Sequence, residues 1–211
     1  VDADTGEIIW RTNISIVPLR APTFVDGVVY TSGSSPNRTG TVYAVDATTG
    51  SVRWRFDTGR FRVPSPPTVV DGTVYVGQSH VPNGDLDQDW LYALNASTGD
   101  LERTYAASST RNTPTVVGDV VYTGAWQTVE AFNASTSEEL WHNDIEDSNS
   151  PVVVDGLLFL NTESGRVVSL NTSTGRTVWQ YNTKSWSPRR PPVYVKGTVY
   201  VAGERGIFAL D

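Results

Sequence analysis

The side chains that could do acid, base or metal chemistry are few and scattered in this sequence. It contains two histidines, His80 and His142, and no cysteine. Neither histidine has a partner at metal-ligand spacing, and no nucleophile motif or glycine-rich phosphate loop accompanies them. The carboxylates fall mostly on turns, so no pair is singled out for general acid and base catalysis. The sequence therefore predicts that the protein is not an enzyme.

One acidic loop, residues 83–89, is the single candidate for a metal site. Asp85, Asp87 and Asp89 present alternating carboxylates, and Ca²⁺ prefers oxygen ligands of this kind. The loop lacks the glycine and the distal glutamate of an EF-hand. The chain has a formal net charge of −7, so a hydrated acidic loop is the competing interpretation. We favour the hydrated loop and expect no bound metal.

A repeat organises the whole chain. The turn motif Asp/Asn-x-x-Thr-Gly or a close variant of it begins at residues 2, 46, 95, 133 and 171, and the chain ends on the equivalent Asp211. The spacing of these positions, 38 to 49 residues, is typical of one four-stranded propeller blade. No helical periodicity of any length accompanies the repeat. The pattern predicts an all-β fold.

Each repeat contains four predicted strands, which we letter A to D. Strand A follows a proline, and an Asp-Gly turn or a variant of it leads to strand B, which is a strong hairpin pattern. Strand C precedes the Asp/Asn turn, whose side chain can accept backbone hydrogen bonds two residues on. Strand D follows that turn. It ends on a tryptophan in every copy except one, which has Arg103 instead; the tryptophans are Trp10, Trp54, Trp141 and Trp179.

We therefore predict one domain, residues 1–211, that folds as a β-propeller of about five four-stranded blades. It would consist of an outer strand at 1–10 and repeats at about 11–56, 57–105, 106–142, 143–181 and 182–211. The last repeat lacks strand D, and residues 5–10 match one. We expect these residues to pair with the last blade of the same molecule and close the ring, which removes exposed strand edges. The alternatives are an excised part of a longer array and strand addition to a neighbouring molecule.

The repeat resembles the PQQ-like, or quinoprotein-type, propeller repeat over essentially the whole chain. The resemblance rests on the pattern Pro-x-Val-x-Asp-Gly-x-Val-Tyr, then Tyr-Ala-Leu-Asp-x-x-Thr-Gly, then Trp. In that family the strand-D tryptophan docks between neighbouring blades, which implies this role for Trp10, Trp54, Trp141 and Trp179.

The resemblance also bears on cofactors. Quinoprotein dehydrogenases similar to this repeat are longer, usually have eight blades, and bind the quinone with Ca²⁺; many carry a disulfide between adjacent cysteines. This chain has no cysteine and fewer repeats, so we expect neither PQQ nor Ca²⁺. The family also includes non-enzymatic scaffolds, such as the lipoprotein component of the outer-membrane assembly machine.

Propeller topology places the D-to-A and B-to-C loops on one face, which we call the binding face. Its predicted contact residues are Arg20, Arg62, Arg111, Trp126, Trp186, Arg189 and Arg190. Arginine with aromatic side chains is the composition of interface hot spots. Strand A is innermost in a propeller, so the residues two before its proline should ring the central channel; they are Arg20, Ser65, Asn112, Asn149 and Arg190. The competing interpretation is that these arginines pair with nearby acids such as Asp144, Glu146 and Asp147.

Composition narrows the partners and the location. An acidic chain, with a pI of about 4.8, lacks the basic surface that nucleic acid requires. No apolar run approaches the roughly 20 residues that span a bilayer, so no membrane insertion is expected. Only two lysines, no methionine and no cysteine resemble the proteins of halophilic archaea. Five Asn-x-Ser/Thr sequons suit an extracellular protein that carries N-glycans, and they lie at Asn13, Asn37, Asn95, Asn133 and Asn171.

The leading hypothesis is a non-catalytic, extracellular or cell-surface propeller that acts as a protein-interaction or assembly scaffold, with a protein partner or with copies of itself. The alternatives are a ligand-binding or sensory module for an anionic small molecule or glycan within a larger receptor, and a fragment of a quinone-dependent dehydrogenase. Fold alone does not choose among these functions.

Overall fold

The computed structural model describes residues 1–14, 16–18, 21–60, 62–80, 90–108, 110, 112–124, 127–146, 148–185 and 190–211. Every regular element in these ranges is a β-strand, and every strand pairing is antiparallel. The strands form five sheets that follow one another along the chain, which we call sheets 1 to 5. The predicted all-β fold is confirmed. The described residues contain no helix that could cross a membrane.

The strands of each sheet lie in the spatial order A, B, C, D that a propeller blade has. Sheet 1 contains β2 (Thr23–Val25), β3 (Val28–Ser34), β4 (Thr39–Asp46) and β5 (Val52–Arg60). Sheet 2 contains β7 (Thr68–Val70), β8 (Thr73–His80), β9 (Trp90–Asn95) and β10 (Leu101–Ala106). Sheet 3 contains β11 (Thr115–Val117), β12 (Val120–Gly124), β13 (Val129–Asn133) and β14 (Glu139–Asn143).

Sheet 4 contains β15 (Val152–Val154), β16 (Leu157–Asn161), β17 (Arg166–Asn171) and β18 (Thr177–Asn182). Sheet 5 has three strands, β19 (Val193–Val195), β20 (Thr198–Gly203) and β21 (Gly206–Leu210). Two short strands lie in the D-to-A connectors and pair with strand B of sheets 1 and 2; they are β1 (Val17–Pro18) and β6 (Arg62–Pro64).

Two kinds of turn join strands A and B and strands C and D in sheets 1 to 4. In the A-to-B turn of sheet 1, Asp26 and Gly27 both have positive φ, 48° and 76°, as a two-residue hairpin of this type requires. In the C-to-D turn, the Asp46 side chain accepts hydrogen bonds from the backbone N–H groups of Thr48 (3.0 Å) and Thr49 (2.8 Å). Gly50, with a φ of 74°, closes this turn. The repeated motif therefore encodes the turns locally.

The hydrophobic core lies between consecutive sheets rather than at one centre. Tyr30, Ala44 and Trp54 of sheet 1 pack against Val76 and Leu94 of sheet 2. Equivalent clusters join sheets 2 and 3, sheets 3 and 4, and sheets 4 and 5. Since side chains alternate between the two faces of a strand, each inner sheet contributes one face to each of two layers.

One aromatic side chain from strand D docks on the C-to-D turn of the next sheet. The indole N–H of Trp54 donates to the carbonyl of Ala96 at 2.8 Å, and the indole N–H of Trp141 donates to the carbonyl of Thr172 at 2.8 Å. Their rings cover Gly99 and Gly175: a Cβ at either glycine would lie 2.6 or 2.5 Å from the ring. The turn must therefore present a glycine wherever a tryptophan covers it.

Sheet 2 departs from this pattern because it carries Arg103 in place of the tryptophan. Tyr105, two residues further along the strand, donates its hydroxyl hydrogen to the equivalent carbonyl, that of Ala134, at 2.8 Å. Arg103 Nε donates to the carbonyl of Ser135 at 2.8 Å. The turn beneath them has Ser137, with a φ of 65°, where the other turns have glycine. The change in the docking residue and the change in the turn thus occur together.

The innermost strands are joined by a second, polar link. The hydroxyls of Thr23, Thr68 and Thr115, each at the start of strand A, donate at 2.6 Å to the carbonyl of the proline that precedes strand A of the next sheet. Sheets 4 and 5 have Val152 and Val193 at this position, which cannot form the link. Hydrogen bonds therefore connect the inner ends of sheets 1 to 4.

The predicted pairing of residues 5–10 with the last sheet, which would close the ring, is wrong. Residues 1–14 contain no strand, and among the described residues β21 pairs only with β20. The second residue of strand A packs against the preceding sheet in sheets 2 to 5, but its equivalent in sheet 1, Phe24, is 65% exposed. On the outer face of sheet 5, Val193 and Ile207 are 58% and 78% exposed. Sheet 5 therefore does not lie against sheet 1.

The position of Trp10 explains this result. Its indole N–H donates to the carbonyl of Ala47 at 2.8 Å, and its ring covers Gly50, as the later tryptophans do with their turns. Trp10 and Ile14 pack on Tyr43 of sheet 1. The N-terminal segment is thus anchored on sheet 1 through Trp10 and Ile14. This contact holds the segment without residues 5–9 pairing with another strand.

Replacing Gly99 by alanine should test the docking of Trp54. We expect Gly99→Ala to lower the free energy of unfolding by about 1–3 kcal/mol more than Gly72→Ala does, since it adds overpacking against the indole ring. Gly72 is a matched control because it has nearly the same φ, 76° against 77°, and nothing within 4 Å of its Cβ position. Urea unfolding of both variants measures the difference; equal losses would contradict the docking role.

Candidate binding site at the channel mouth

One cavity of about 500 Å³ lies at the inner ends of all five sheets. Each sheet contributes at least one residue from the start of strand A or the connector before it: Ala21, Pro66, Asn112, Ser150 and Arg190. Prolines 151 and 191 also line the cavity. We call this cavity the channel mouth. Its wall combines rigid prolyl rings with a few polar groups, which is the usual composition of a recognition site.

Hydrogen bonds between sheets position the polar groups of the channel mouth. Asn112 Nδ2 donates to the carbonyls of Gly124 (3.1 Å) and Ser148 (2.6 Å). The backbone N–H of Thr113 donates to Ser150 Oγ at 3.0 Å. The Asn112 amide is thus committed to joining sheets 3 and 4, and it holds the connector that shapes the wall.

Arg190 is the charged group of the channel mouth. It is exposed, and no ion pair or hydrogen bond engages its guanidinium within the described ranges. Pro191 directly follows it and restricts its backbone to extended conformations. An arginine held in this way offers planar, bidentate donors to a carboxylate or phosphate.

The connectors approach strand B closely because small residues make room for them. A Cβ at Gly77 would lie 2.5 Å from Thr110 Oγ1, and one at Gly124 would lie 2.4 Å from the carbonyl oxygen of Asn149. Ser65 and Asn149, which we expected to ring the channel, are only 0% and 3% exposed. Of the five residues expected there, Asn112 and Arg190 line the cavity, and Arg20 lies outside the described residues.

Most of the predicted contact residues of the binding face also lie outside the described part of the chain. These are Arg20, Arg111, Trp126, Trp186 and Arg189. Arg62 lies in β6, and its side chain is not among those described. The acidic loop residues Asp85, Asp87 and Asp89 fall outside the described ranges as well. Within those ranges no group of three metal-ligating side chains comes together.

Two of the three acids that we considered as partners of the arginines lie at a different cavity, and the third, Asp147, lies outside the described residues. Asp144 and Glu146 line a second opening of about 510 Å³ together with Arg166 and Gln127. On the opposite face, the Asp46 carboxylate belongs to a turn and forms an ion pair with Arg53 at 2.6 Å. The Arg53 guanidinium and the Thr49 N–H lower the pKa of Asp46. That carboxylate therefore has a structural role.

Glu130 is a buried carboxylate that no sequence motif singles out. It lies in β13, is 4% exposed, and accepts the backbone N–H of Ser108 with both oxygens, at 3.0 and 3.2 Å. Burial raises the pKa of Glu130, and the hydrogen bonds from Ser108 partly offset the increase. An alignment of the repeats could have identified it, because Tyr43 and Tyr92 hold the same position in sheets 1 and 2.

Of the two histidines, only His142 has a described side chain, and it does not line the channel mouth. His80 ends β8. His142 lies opposite Glu130 in the strand register, and its Nδ1 is 2.5 Å from Glu139 Oε1. The Glu139 carboxylate raises the pKa of His142. Its exposed ion pair contributes little to stability.

The sequence matches a known family and its curated members. A family model described as outer membrane protein assembly factor BamB matches residues 1–181. The outer membrane protein assembly factor BamB of Yersinia pestis is 26% identical over 218 residues, an alignment that covers 98% of this chain and 54% of that protein. This chain therefore spans about half the length of that relative. These relatives are bacterial, so the predicted archaeal origin gains no support and stays a prediction.

Solved structures show the same fold. BamB from Moraxella catarrhalis superposes with a TM-score of 0.73 at 21% identity, over 97% of this chain and 63% of that one. Quinohemoprotein alcohol dehydrogenase from Comamonas testosteroni gives a TM-score of 0.68 at 18% identity, over 93% of this chain and 42% of that one. The fold thus occurs in an assembly factor and in an enzyme, so the fold alone does not favour one function.

The raised pKa of Glu130 predicts how the stability of a Glu130→Gln variant depends on pH. The pKa of Glu130 is higher in the folded chain than its ordinary value of 4.5, so its ionised form destabilises the fold above that pKa. We expect Glu130→Gln to raise Tm at pH 7, with the gain shrinking as the pH falls through the folded-state pKa and disappearing below about 4.5, where the wild-type carboxyl becomes protonated in both states. Thermal unfolding from pH 4 to 8 measures this, with the exposed Glu204→Gln as control. A lower Tm of Glu130→Gln at pH 7 would show instead that the ionised carboxylate stabilises the inter-sheet contact.

Proposed function

Because the chain belongs to the PQQ-like repeat family of the outer membrane protein assembly factor BamB, we propose that it is a non-catalytic propeller that binds other proteins in the cell envelope. The channel mouth is the proposed contact site, with Arg190 at its centre. The other residues predicted for the binding face, Arg20, Arg62, Arg111, Trp126, Trp186 and Arg189, are proposed to extend this contact outward.

The observation that carries the proposal is the combination of an unpaired arginine with a wall of prolines. Pro66, Pro151 and Pro191 give the cavity a rigid apolar surface, and Arg190 adds a guanidinium that has no partner in the part of the chain that the structure describes. An extended peptide segment with an acidic side chain fits this chemistry: its apolar side chains would contact the prolyl rings and its carboxylate would pair with the guanidinium. Because the wall is rigid, little ordering is needed on binding.

The same cavity supports a second candidate function. Its volume of about 500 Å³ is within the range of small-ligand pockets, so an anionic small molecule could occupy it in place of a peptide. We favour the protein partner because the matched family is described as an assembly factor. A protein partner would form protein crosslinks at the channel mouth, whereas an anionic small molecule would not.

Site-specific photocrosslinking distinguishes them. A photoreactive residue at Arg190 or Thr113, in the channel mouth, should give discrete protein adducts in cells of the source organism. The same residue at Thr48 or Ser173, in exposed C-to-D turns of the opposite face, should give none. Arg190→Glu should reduce the adduct formed from Thr113 by about tenfold or more, since like charges then face each other.

Two results would contradict the proposed protein contact. Adducts of equal yield from both faces would mean that the crosslinks are non-specific. A loss of all protein adducts, with thermal stabilisation by small dicarboxylates that Arg190→Glu abolishes, would favour the anionic small molecule.

The proposed absence of a cofactor has its own test. A site filled a hundredfold above its Kd would stabilise the fold by about 2.7 kcal/mol, which raises Tm by several degrees in a chain of this size. We expect PQQ with millimolar Ca²⁺ to change Tm by less than about 1 °C relative to chelator. Stoichiometric binding seen in the PQQ absorption spectrum would contradict this and favour the dehydrogenase alternative.

A further inference from the structure

The five sequons differ in whether the asparagine amide is free to react. We propose that Asn37 is an N-glycan acceptor in the folded protein, and that Asn95, Asn133 and Asn171 are not. The inference does not depend on the proposed function. It rests on where each asparagine lies in the repeat and on the hydrogen bonds that its carboxamide makes.

Asn37 lies at the exposed tip of the hairpin between β3 and β4. Neighbouring residues hold this turn: the N–H of Ser35 donates to the carbonyl of Thr39 at 2.8 Å, and the N–H of Arg38 donates to the carbonyl of Ser35 at 2.8 Å. Ser35 Oγ accepts the N–H of Thr39 at 3.1 Å. The Asn37 carboxamide takes no part in any hydrogen bond among the described residues, so it can leave the turn without breaking one.

The three asparagines of the C-to-D turns are in the opposite situation. Asn95 Oδ1 accepts the backbone N–H groups of Ser97 (3.0 Å) and Thr98 (3.1 Å), and its Nδ2 donates to Glu102 at 3.0 Å. The oxygens of Asn133 and Asn171 each accept two backbone N–H groups in the same way. These carboxamides shape the turns on which the strand-D aromatics dock. Transfer to them requires the turn to open first.

The reaction requires the amide nitrogen to reach a donor. A new bond forms between Asn37 Nδ2 and the anomeric carbon of a polyprenyl-phosphate-linked oligosaccharide. The bond from that carbon to the phosphate oxygen breaks, and the lipid phosphate leaves with the electron pair. The amide proton passes to a base of the transferase. An oligosaccharyltransferase must enclose the Asn and the hydroxyl residue two positions on, here Thr39, so Asn37 at the hairpin tip and Thr39 at the first position of β4 must both be accessible.

The position of Asn37 also gives the modification a consequence. Ser34, at the end of β3, pairs with Val17 of β1 in the connector that leads to strand A. The hairpin tip therefore lies at the end of sheet 1 where the connectors run. A glycan there would extend from the rim of the binding face and leave every inter-sheet layer untouched.

The test uses folded protein made in a host without N-glycosylation. Asn13→Gln is the background, since Ser15 of that sequon lies outside the described residues. The protein is incubated with a single-subunit oligosaccharyltransferase and its lipid-linked donor, and peptide mass mapping gives the occupancy of each site. We expect Asn37 to be modified, Thr39→Ala to abolish the modification, and Asn95, Asn133 and Asn171 to react about tenfold or more slowly, since each must first lose at least two hydrogen bonds.

Synthetic peptides of residues 33–41 and 91–99 are the matched control, because they carry the same sequons without the fold. Both peptides should be modified at similar rates. An unmodified Asn37 in the folded protein would overturn the proposal, and so would modification of the turn sequons at the peptide rate. If Asn95 in peptide 91–99 were modified as slowly as Asn95 in the folded protein, the proposal would also be overturned, since the local sequence alone would then explain the slow reaction.

Discussion

The docking of one aromatic side chain on the next sheet's turn is the interaction on which this structure depends. A single four-stranded sheet cannot bury its own faces, so stability has to come from contacts between neighbours. Trp54 and Trp141 have buried rings and Trp10 a partly buried one, and the indole N–H of each donates to a turn carbonyl. This bond specifies where along the neighbouring sheet the ring rests. The ring also restricts the covered turn position to glycine, because a side chain there would clash with the ring.

The candidate site follows from the same arrangement at the other end of the sheets. Once the aromatics set the spacing of the sheets, the connectors must cross from one sheet to the next over strand B, and Gly77 and Gly124 admit them. Each connector ends on the proline that directly precedes strand A. The channel mouth is thus made from the starts of five equivalent strands. Arg190 differs from its equivalents Ser65, Asn112 and Asn149 in carrying a charge, and this charge is exposed and unpaired within the described ranges.

Local chemistry explains how much of this could be predicted. The Asp-Gly and Asp/Asn turns use bonds within a few residues, so their motifs were sufficient to predict the strand order. Closure could not be predicted in this way, because it depends on the curvature accumulated over all five sheets. Phe24, exposed where its equivalents are buried, shows that the ends do not meet. Tyr105 replaces a tryptophan from two positions further along its strand, and Glu130 replaces an aromatic residue. Both depend on contacts with a neighbouring sheet, which one repeat does not reveal.

A double-mutant cycle between Trp54 and Gly99 tests the central claim most directly. The free energy of unfolding is measured by urea for Trp54→Leu, Gly99→Ala and the combination. If the ring rests on the turn, Gly99→Ala should cost much less in the Trp54→Leu background, with a coupling energy of about 1–2 kcal/mol, within the range for residues in contact. Additive effects, within about 0.5 kcal/mol, would contradict the account, because the indole and the turn would then stabilise the fold independently.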